Sequence, residues 1–187
     1  MKVSIRKIAF AGITAALYAG LTLAVMSFSY GPVQLRISEV LCILPFFFPF
    51  SVWGLFAGCI IANIFSPYFW LDITVGPIAS LLAALSTMYI GRLKSRDKIT
   101  TKAFACFPPV FFNAVLIGAM IAFIMVSEGD AETFLPIFIA SGFWVGLGQL
   151  VVMYVLGLPL MIYLPKTKII EKLNALYEFT PHVKRKE

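Results

Sequence analysis

The 187-residue chain is 60% hydrophobic and 13% charged, and it carries a net charge of +6 at pH 7. Soluble domains are about half apolar and about a quarter charged. This composition therefore indicates an integral membrane protein and excludes a disordered or nucleic-acid-binding chain. Cys42, Cys59 and Cys106 lie in apolar runs without the spacing of metal ligands or a disulfide framework, so we interpret them as small buried side chains.

The first apolar segment runs from Ile8 to Phe28 and follows three basic residues. It is about 21 residues long, enough to span a bilayer and too long for the hydrophobic region of a signal peptide. We therefore expect it to be a helix of the mature protein.

The second apolar segment, from Val40 to Tyr68, is too long for one straight span. As a single helix it would measure about 43 Å, against a hydrocarbon core of about 30 Å. Pro45 and Pro49 also interrupt its first half. The segment is either one kinked span or a hairpin of two shorter helices.

The positions of the basic residues favour the hairpin. Cytoplasmic loops carry the excess of Lys and Arg, and a turn near Pro49 and Ser51 places every basic residue except Arg36 on one side. The acidic loop SEGDAETF then lies outside. These cytoplasmic residues are Lys2, Arg6, Lys7, Arg92, Lys94, Arg96, Lys98, Lys102, Lys166, Lys168, Lys172, Lys184, Arg185 and Lys186.

We predict one all-α domain, residues 1–187, that forms a multi-pass bundle in the cell membrane with both termini in the cytoplasm. The helices are expected at about 7–28, 39–50, 52–68, 75–91, 103–126 and 139–164. A short basic tail, 166–187, should begin with a cytoplasmic helix. No internal repeat or second domain is recognisable.

The few polar residues of the bundle lie in its outer half in this topology. Glu39 begins the second helix, Asn63 lies near the outer end of the third, and Asp72 lies in the loop that follows. Asn113 and Gln149 are near the midplane. Polar groups are costly in hydrocarbon and suggest a binding site, although an isolated amide often only bonds a neighbouring helix. Convergence of the set favours a ligand pocket.

Small residues mark two faces where backbones can approach closely. Gly142 and Gly146 share one face of the sixth helix with Gln149, which predicts a close-packed wall of the pocket. Ala11, Ala15 and Ala19 form a smooth face on the first helix. That face is either an internal packing seam or a surface on which a helix of another protein docks.

Catalytic motifs are missing from the chain. It contains no GxxxxGK[ST] phosphate loop, and its one histidine, His182, lies in the tail. A Ser/His protease, an HExxH metalloprotease and intrinsic ATP hydrolysis are therefore excluded. We expect no enzyme activity, no metal and no cofactor, so any transport must be driven by another protein.

Taken together, these features resemble the substrate-binding S component of an energy-coupling factor (ECF) transporter. The motifs QLRISEVLCILPFFFP at 34–49 and GLFAGCIIANIFSP at 54–67 resemble the QueT family, implicated in uptake of queuosine precursors. The resemblance implies a transmembrane coupling subunit and two ATPases as partners, with docking through Ala11, Ala15 and Ala19. It also implies inward delivery by toppling of the whole bundle.

The chemistry of a 7-deazaguanine suggests roles for the polar residues. Its ring N–H and exocyclic amine are parallel donors that one carboxylate accepts together, and Glu39 is the candidate. An amide is needed for the ring carbonyl, an aromatic ring for stacking, and Asp72 for a cationic substituent. Arg36 either contacts the ligand or neutralises the charge of Glu39. Gln34 either contacts the ligand or hydrogen-bonds to the backbone of its loop. The remaining candidates are Asn63, Phe69, Asn113, Trp144 and Gln149.

Other functions remain open at this point. An S component for another flat vitamin such as riboflavin would need a similar pocket. A lipid-modifying intramembrane enzyme and a structural subunit without a ligand are alternatives of different classes.

Overall fold

The computed structural model describes residues 5–29, 36–129 and 133–177. Its regular structure over these ranges is helical throughout, as the composition predicts. The helices, in chain order, are α1 (Ile5–Ala24), α2 (Met26–Ser29), α3 (Leu44–Phe47), α4 (Ser51–Asn63), α5 (Phe69–Ile90), α6 (Ile99–Ala105), α7 (Phe107–Ser127), α8 (Phe134–Val151), α9 (Leu158–Tyr163) and α10 (Ile169–Tyr177). A 3-10 segment, Ile37–Ile43, leads into α3, a π-helical turn, Val152–Gly157, joins α8 to α9, and a 3-10 turn, Leu164–Lys166, follows α9.

The chain reverses between α3 and α4. A Cβ on Gly91, at the end of α5, would lie 2.6 Å from the Phe46 carbonyl oxygen, and the Phe48 and Phe10 rings are 5.3 Å apart. At its other end, the 3-10 segment lies near the start of α5, where Arg36 pairs with Asp72. The segment therefore runs along α5, and α4 runs back in the opposite direction, packed on α1 and α5.

Helix α4 packs on α1 through its glycines. A Cβ on Gly54 would lie 2.5 Å from the Ala11 carbonyl oxygen, and one on Gly58 would lie 2.7 Å from that of Ala15. Ala15 and Ala19 are accordingly 6% exposed each. The prediction that this alanine face is free to dock another protein is wrong, because α4 covers it within the chain.

Helices α7 and α8 also meet at small residues. A Cβ on Gly118 would lie 2.6 Å from the Gly142 Cα, and one on Gly146 would lie 3.2 Å from the Ala114 Cβ. The glycines of α8 thus permit a close contact between two helices. These glycines pack against α7 and do not line an open pocket.

Four helical stretches are long and apolar enough to cross a membrane: Ile5–Ala24, Phe69–Ile90, Ile99–Ser127 and Phe134–Lys166. The apolar helices Ile37–Phe47 and Ser51–Asn63 are shorter. At 13 residues, α4 rises about 20 Å, less than a hydrocarbon core of about 30 Å. The count of six spans and the side on which the termini lie stay predictions.

Helix α10 lies against the start of α1. Tyr177 contacts Phe10 at a ring distance of 5.1 Å, and Ile170 and Leu173 pack against the same small cluster, which includes Phe48. The apolar residues of α10 thus attach the beginning of the predicted basic tail to the bundle. The rest of that tail lies outside the described residues.

Candidate functional site

A connected set of buried polar side chains joins α1, the 3-10 segment, α4 and α5. It includes the described chain's buried charged residues, Arg36, Glu39 and Asp72, which are at most 2% exposed. We call this set the polar network, and its members are Tyr18, Thr22, Ser29, Arg36, Ser38, Glu39, Cys42, Cys59, Asn63, Ser66, Asp72 and Ser80.

Glu39 lies at the centre of this network and is completely buried. Its Oε1 accepts hydrogen bonds from the Tyr18 hydroxyl at 2.5 Å and the Ser80 hydroxyl at 3.3 Å, and its Oε2 accepts one from the Cys42 thiol at 3.1 Å. These three donors are uncharged, so they orient the carboxylate without neutralising it. Three different helical elements therefore hold one acceptor group inside the bundle.

Asp72 forms the second charged part of the network. Its carboxylate accepts a hydrogen bond from the Ser66 hydroxyl and lies 3.6 Å from the Arg36 guanidinium. Asn63 Nδ2 donates to the Asp72 carbonyl oxygen at 2.7 Å. The prediction that Asp72 lies in a loop is wrong: α5 begins earlier than expected, at Phe69, and Asp72 is buried in its first turn.

The end of α1 closes the network towards Arg36. The Thr22 and Ser38 hydroxyls are 2.7 Å apart, the Ser29 hydroxyl donates to the Thr22 carbonyl oxygen at 3.0 Å, and Arg36 Nε donates to the Ser29 carbonyl oxygen at 3.4 Å. These bonds fix the 3-10 segment against α1. Arg36 therefore forms an ion pair with Asp72, so its charge does not serve Glu39 alone.

Tyr18, Ser80 and Cys59 were missed by the sequence reasoning. Tyr18 is 21 positions from Glu39 and Ser80 is 41 positions from it, so spacing along the chain gives no signal. Single tyrosine, serine and cysteine residues are common in membrane helices. Only the packing of α1 and α5 around the 3-10 segment brings Tyr18 and Ser80 to the carboxylate, and only the packing of α4 on α5 brings Cys59 to Ser80.

The two midplane amides have other contacts. Asn113 is buried and its Nδ2 donates to the Pro109 carbonyl oxygen of its own helix at 2.9 Å. Gln149 is also buried, and its Oε1 accepts no hydrogen bond from the described residues. The structure shows no hydrogen bond from either amide to the polar network over its described residues, so their contact with a ligand stays a prediction.

The two aromatic candidates differ in exposure. Phe69 is partly buried at the start of α5 and lies edge-on to Trp70. Trp144 is 50% exposed on α8, with its ring 5.6 Å from that of Phe143. The exposure of Trp144 favours the alternative interpretation of this residue, anchoring in the membrane interface.

Two further predictions concern Gln34 and metals. Gln34 lies outside the described residues. Over the described ranges no three His, Cys, Asp or Glu side chains come close enough to hold a metal ion.

A groove of about 550 Å³ lies between α1 and α10, lined by Ile5, Arg6, Ala9, Ala175, Leu176 and Tyr177. These residues are far along α1 from Tyr18 and include no member of the polar network, so we base the site on the network.

The chemistry available in the network is recognition of hydrogen-bond donors. A buried carboxylate in a medium of low polarity binds a pair of donors strongly. Tyr18 and Ser80 already occupy Glu39 Oε1, so a ligand must displace them or share the remaining acceptor positions. The arrangement suits the binding of a ligand that carries hydrogen-bond donors.

Comparison with known proteins gives the family. The sequence model described as "QueT transporter" matches residues 8–166. Over 85 residues the chain is 36% identical to the "Queuosine precursor transporter QueT" of Lactococcus lactis subsp. cremoris (strain MG1363), an overlap of 44% of this chain and 50% of that relative. The chain thus matches about half the length of the curated relative. No solved structure matches it.

The family match and the four long apolar helices agree on a multi-pass membrane protein. Because the match covers most of the chain, from the first long helix to the last, the protein belongs to the QueT transporter family.

Proposed function

We propose that this chain is the substrate-binding S component of an ATP-driven ECF importer for a queuosine precursor. The substrate is a 7-deazaguanine base or its nucleoside. The observation that carries the proposal is the fully buried Glu39, which is held by uncharged donors in a chain of the QueT transporter family. The name of the curated relative supports the same substrate class.

Glu39 supplies the acceptor that the ring requires. The ring N–H and exocyclic amine of a 7-deazaguanine point in the same direction, and a carboxylate accepts both at once. Ligand donors at this position replace the Tyr18 hydroxyl and the Cys42 thiol. Phe69, partly buried three residues before Asp72, is the aromatic ring proposed to stack on the base.

The energy for import comes from partner subunits in this proposal. The chain has no phosphate-binding loop, so a transmembrane coupling subunit with two ATPases supplies it. Docking on that subunit uses the outward face of α1, where Gly12, Ala16 and Gly20 are exposed and a Cβ on either glycine would meet nothing within 4 Å. This outward face replaces the buried alanine face as the docking surface. Toppling of the whole bundle then carries the ligand inward.

A ligand panel tests the function. Purified chain in detergent is heated with 7-deazaguanine, its 7-aminomethyl and 7-cyano derivatives, queuine, the queuosine nucleoside, riboflavin or guanine. The proposal predicts a raised unfolding temperature with at least one 7-deazaguanine compound, because a ligand that binds only the folded state stabilises it. Stabilisation by riboflavin alone would support the S component of another vitamin, and no stabilisation by any compound would contradict a binding role.

A further inference from the structure

The groove between α1 and α10 combines apolar walls with a charged group. Its volume is about 550 Å³, and five of its six lining residues are uncharged, whereas Arg6 carries a guanidinium. Two of the apolar lining residues, Ile5 and Leu176, are 84% and 61% exposed. The groove is therefore open to the surroundings of the bundle.

The groove lies at the level of the lipid headgroups. Helix α1 has 20 residues and rises about 30 Å, the thickness of a hydrocarbon core. Arg6 is in its first turn, so its guanidinium lies at the boundary between hydrocarbon and headgroups when α1 spans the membrane. Helix α10 packs at the same end of α1, because Tyr177 contacts Phe10. A molecule in this groove therefore reaches both layers.

The charges around the groove favour an anion. The first turn of α1 carries Arg6 and Lys7 and no acidic residue, although the N-terminal end of a helix is itself partly positive and favours negative groups. On α10, Lys172 lies one turn before Leu176 and on the same face. Glu171 is the acidic residue of that helix, so three positive charges stand against one negative charge. An anion at the groove reduces this excess.

The exposed side of α10 favours a lipid over a small soluble anion. Ile169 and Leu176 are seven positions apart on the face that carries Lys172, and they are 49% and 61% exposed. Helices with exposed apolar residues beside lysines lie in the interface of a bilayer, where long lysine side chains extend to the headgroups. A soluble phosphate would contact the charges and leave the apolar walls of the groove uncovered, whereas a phospholipid covers both.

We propose that the groove between α1 and α10 binds an anionic phospholipid. The Arg6 guanidinium donates to the lipid phosphate, for which its planar fork of N–H groups is suited. It has five such donors, so this contact is compatible with other contacts of Arg6. Ile5, Ala9 and Leu176 pack against the glycerol and the start of an acyl chain. The lipid thereby ties α10 to α1, a role that is independent of the transported ligand.

Native mass spectrometry of the full chain tests the proposal. The detergent-solubilised protein is titrated with dioleoyl-phosphatidylglycerol or dioleoyl-phosphatidylcholine, which share their acyl chains and differ in net charge. Charge-assisted hydrogen bonds predict that the wild type binds phosphatidylglycerol about 10-fold more tightly, because the choline of the other lipid adds a positive charge. In Arg6→Gln, affinity for phosphatidylglycerol should fall by about 10-fold, while affinity for phosphatidylcholine stays within about twofold.

Two further variants separate the groove from the general positive charge of this end of the bundle. Ala175→Trp fills the groove without changing the charge and should weaken binding of phosphatidylglycerol as much as Arg6→Gln does. Lys94→Gln removes an exposed positive charge from the loop between α5 and α6. It is the control and should bind both lipids like the wild type.

Four results overturn the proposal. The first is equal affinity of the wild type for the two lipids, and the second is an equal loss of phosphatidylglycerol binding in Arg6→Gln and Lys94→Gln. The third is competition by glycerol 3-phosphate as strong as competition by the lipid, which would assign the groove to a soluble anion. The fourth is a dimer that forms without lipid and is lost in Ala175→Trp, which would assign the groove to a second copy of the chain.

Discussion

The buried carboxylate of Glu39 is stabilised by the hydrogen bond that it accepts from the Tyr18 hydroxyl. The bond between them is the shortest that Glu39 accepts, at 2.5 Å, and both side chains are fully buried. A hydrogen bond to a charged group contributes about 1.5–3 kcal/mol, and a buried acceptor left unsatisfied costs a similar amount. Tyr18 therefore stabilises the unliganded protein.

Replacing the hydroxyl alone measures this contribution. Tyr18→Phe should lower the free energy of unfolding by about 1.5–3 kcal/mol, because it removes one donor and keeps the ring. Tyr163→Phe, at a side chain that is 67% exposed, is the matched control and should change it by less than about 0.5 kcal/mol. Denaturant unfolding of both variants in one detergent gives the comparison. Equal stability of the two variants would show that the Tyr18 bond contributes nothing.

The charged residues of the network and its one amide, Asn63, were predictable from the sequence, whereas their hydrogen-bond partners were not. Arg36, Glu39 and Asp72 attract attention because charge is rare in apolar segments, and the structure brings them into one network with Asn63. The hydrogen-bond partners of Glu39 depend on which helices pack beside it, and no local sequence pattern indicates which helices these are. For the same reason, the sequence does not decide between the two roles of Arg36.

Helix α1 has two faces of small residues with different neighbours. Ala15 and Ala19 face α4 and are buried, whereas Gly12 and Ala16 face outward. Both faces repeat every four residues, so the sequence of α1 alone does not distinguish them. The glycines of α4 decide, because only their lack of a side chain allows the backbone of α1 to approach.

A tryptophan on the outward face tests docking. Gly12→Trp should abolish co-purification with the coupling subunit and the ATPases from membranes, because the large ring prevents close helix approach while open space around Gly12 leaves the fold intact. Ala140→Trp, on an exposed position of α8, is the control and should co-purify normally. Ala15→Trp is unsuitable, since it would clash with Gly58. Normal assembly of folded Gly12→Trp would reject this docking face.

The whole molecule has a polar end and a basic end. The polar network extends from the ends of α1 and α4 and the start of α5 into the bundle. The basic residues Arg6, Arg92 and Lys98 lie at or beyond the opposite helix ends. Composition alone was sufficient to predict a helical, multi-pass membrane protein, which the family match confirms. The start of α5 was not predictable, because Trp70 and Asp72 resemble an interfacial loop.

One asymmetry follows from this arrangement and supports binding from a single side. Among the described residues, the buried charged side chains lie between the start of α5, at Asp72, and its middle, where Ser80 contacts Glu39. Under the proposed function, the ligand enters from the end of the bundle at which α5 starts. The cluster of Phe10 and Phe48 with α10 closes the opposite end. Under the proposed function, movement of the whole bundle, driven by the ATPases, delivers the ligand inward.

The most direct test of the account is the affinity of Glu39→Gln for the 7-deazaguanine that the wild type binds best. Calorimetry should show a loss of about 10- to 100-fold, because an amide supplies only one acceptor oxygen and no charge. The exposed Glu128→Gln should bind like the wild type. Unchanged affinity in a Glu39→Gln protein with wild-type thermal stability would contradict the assignment of this network as the ligand site.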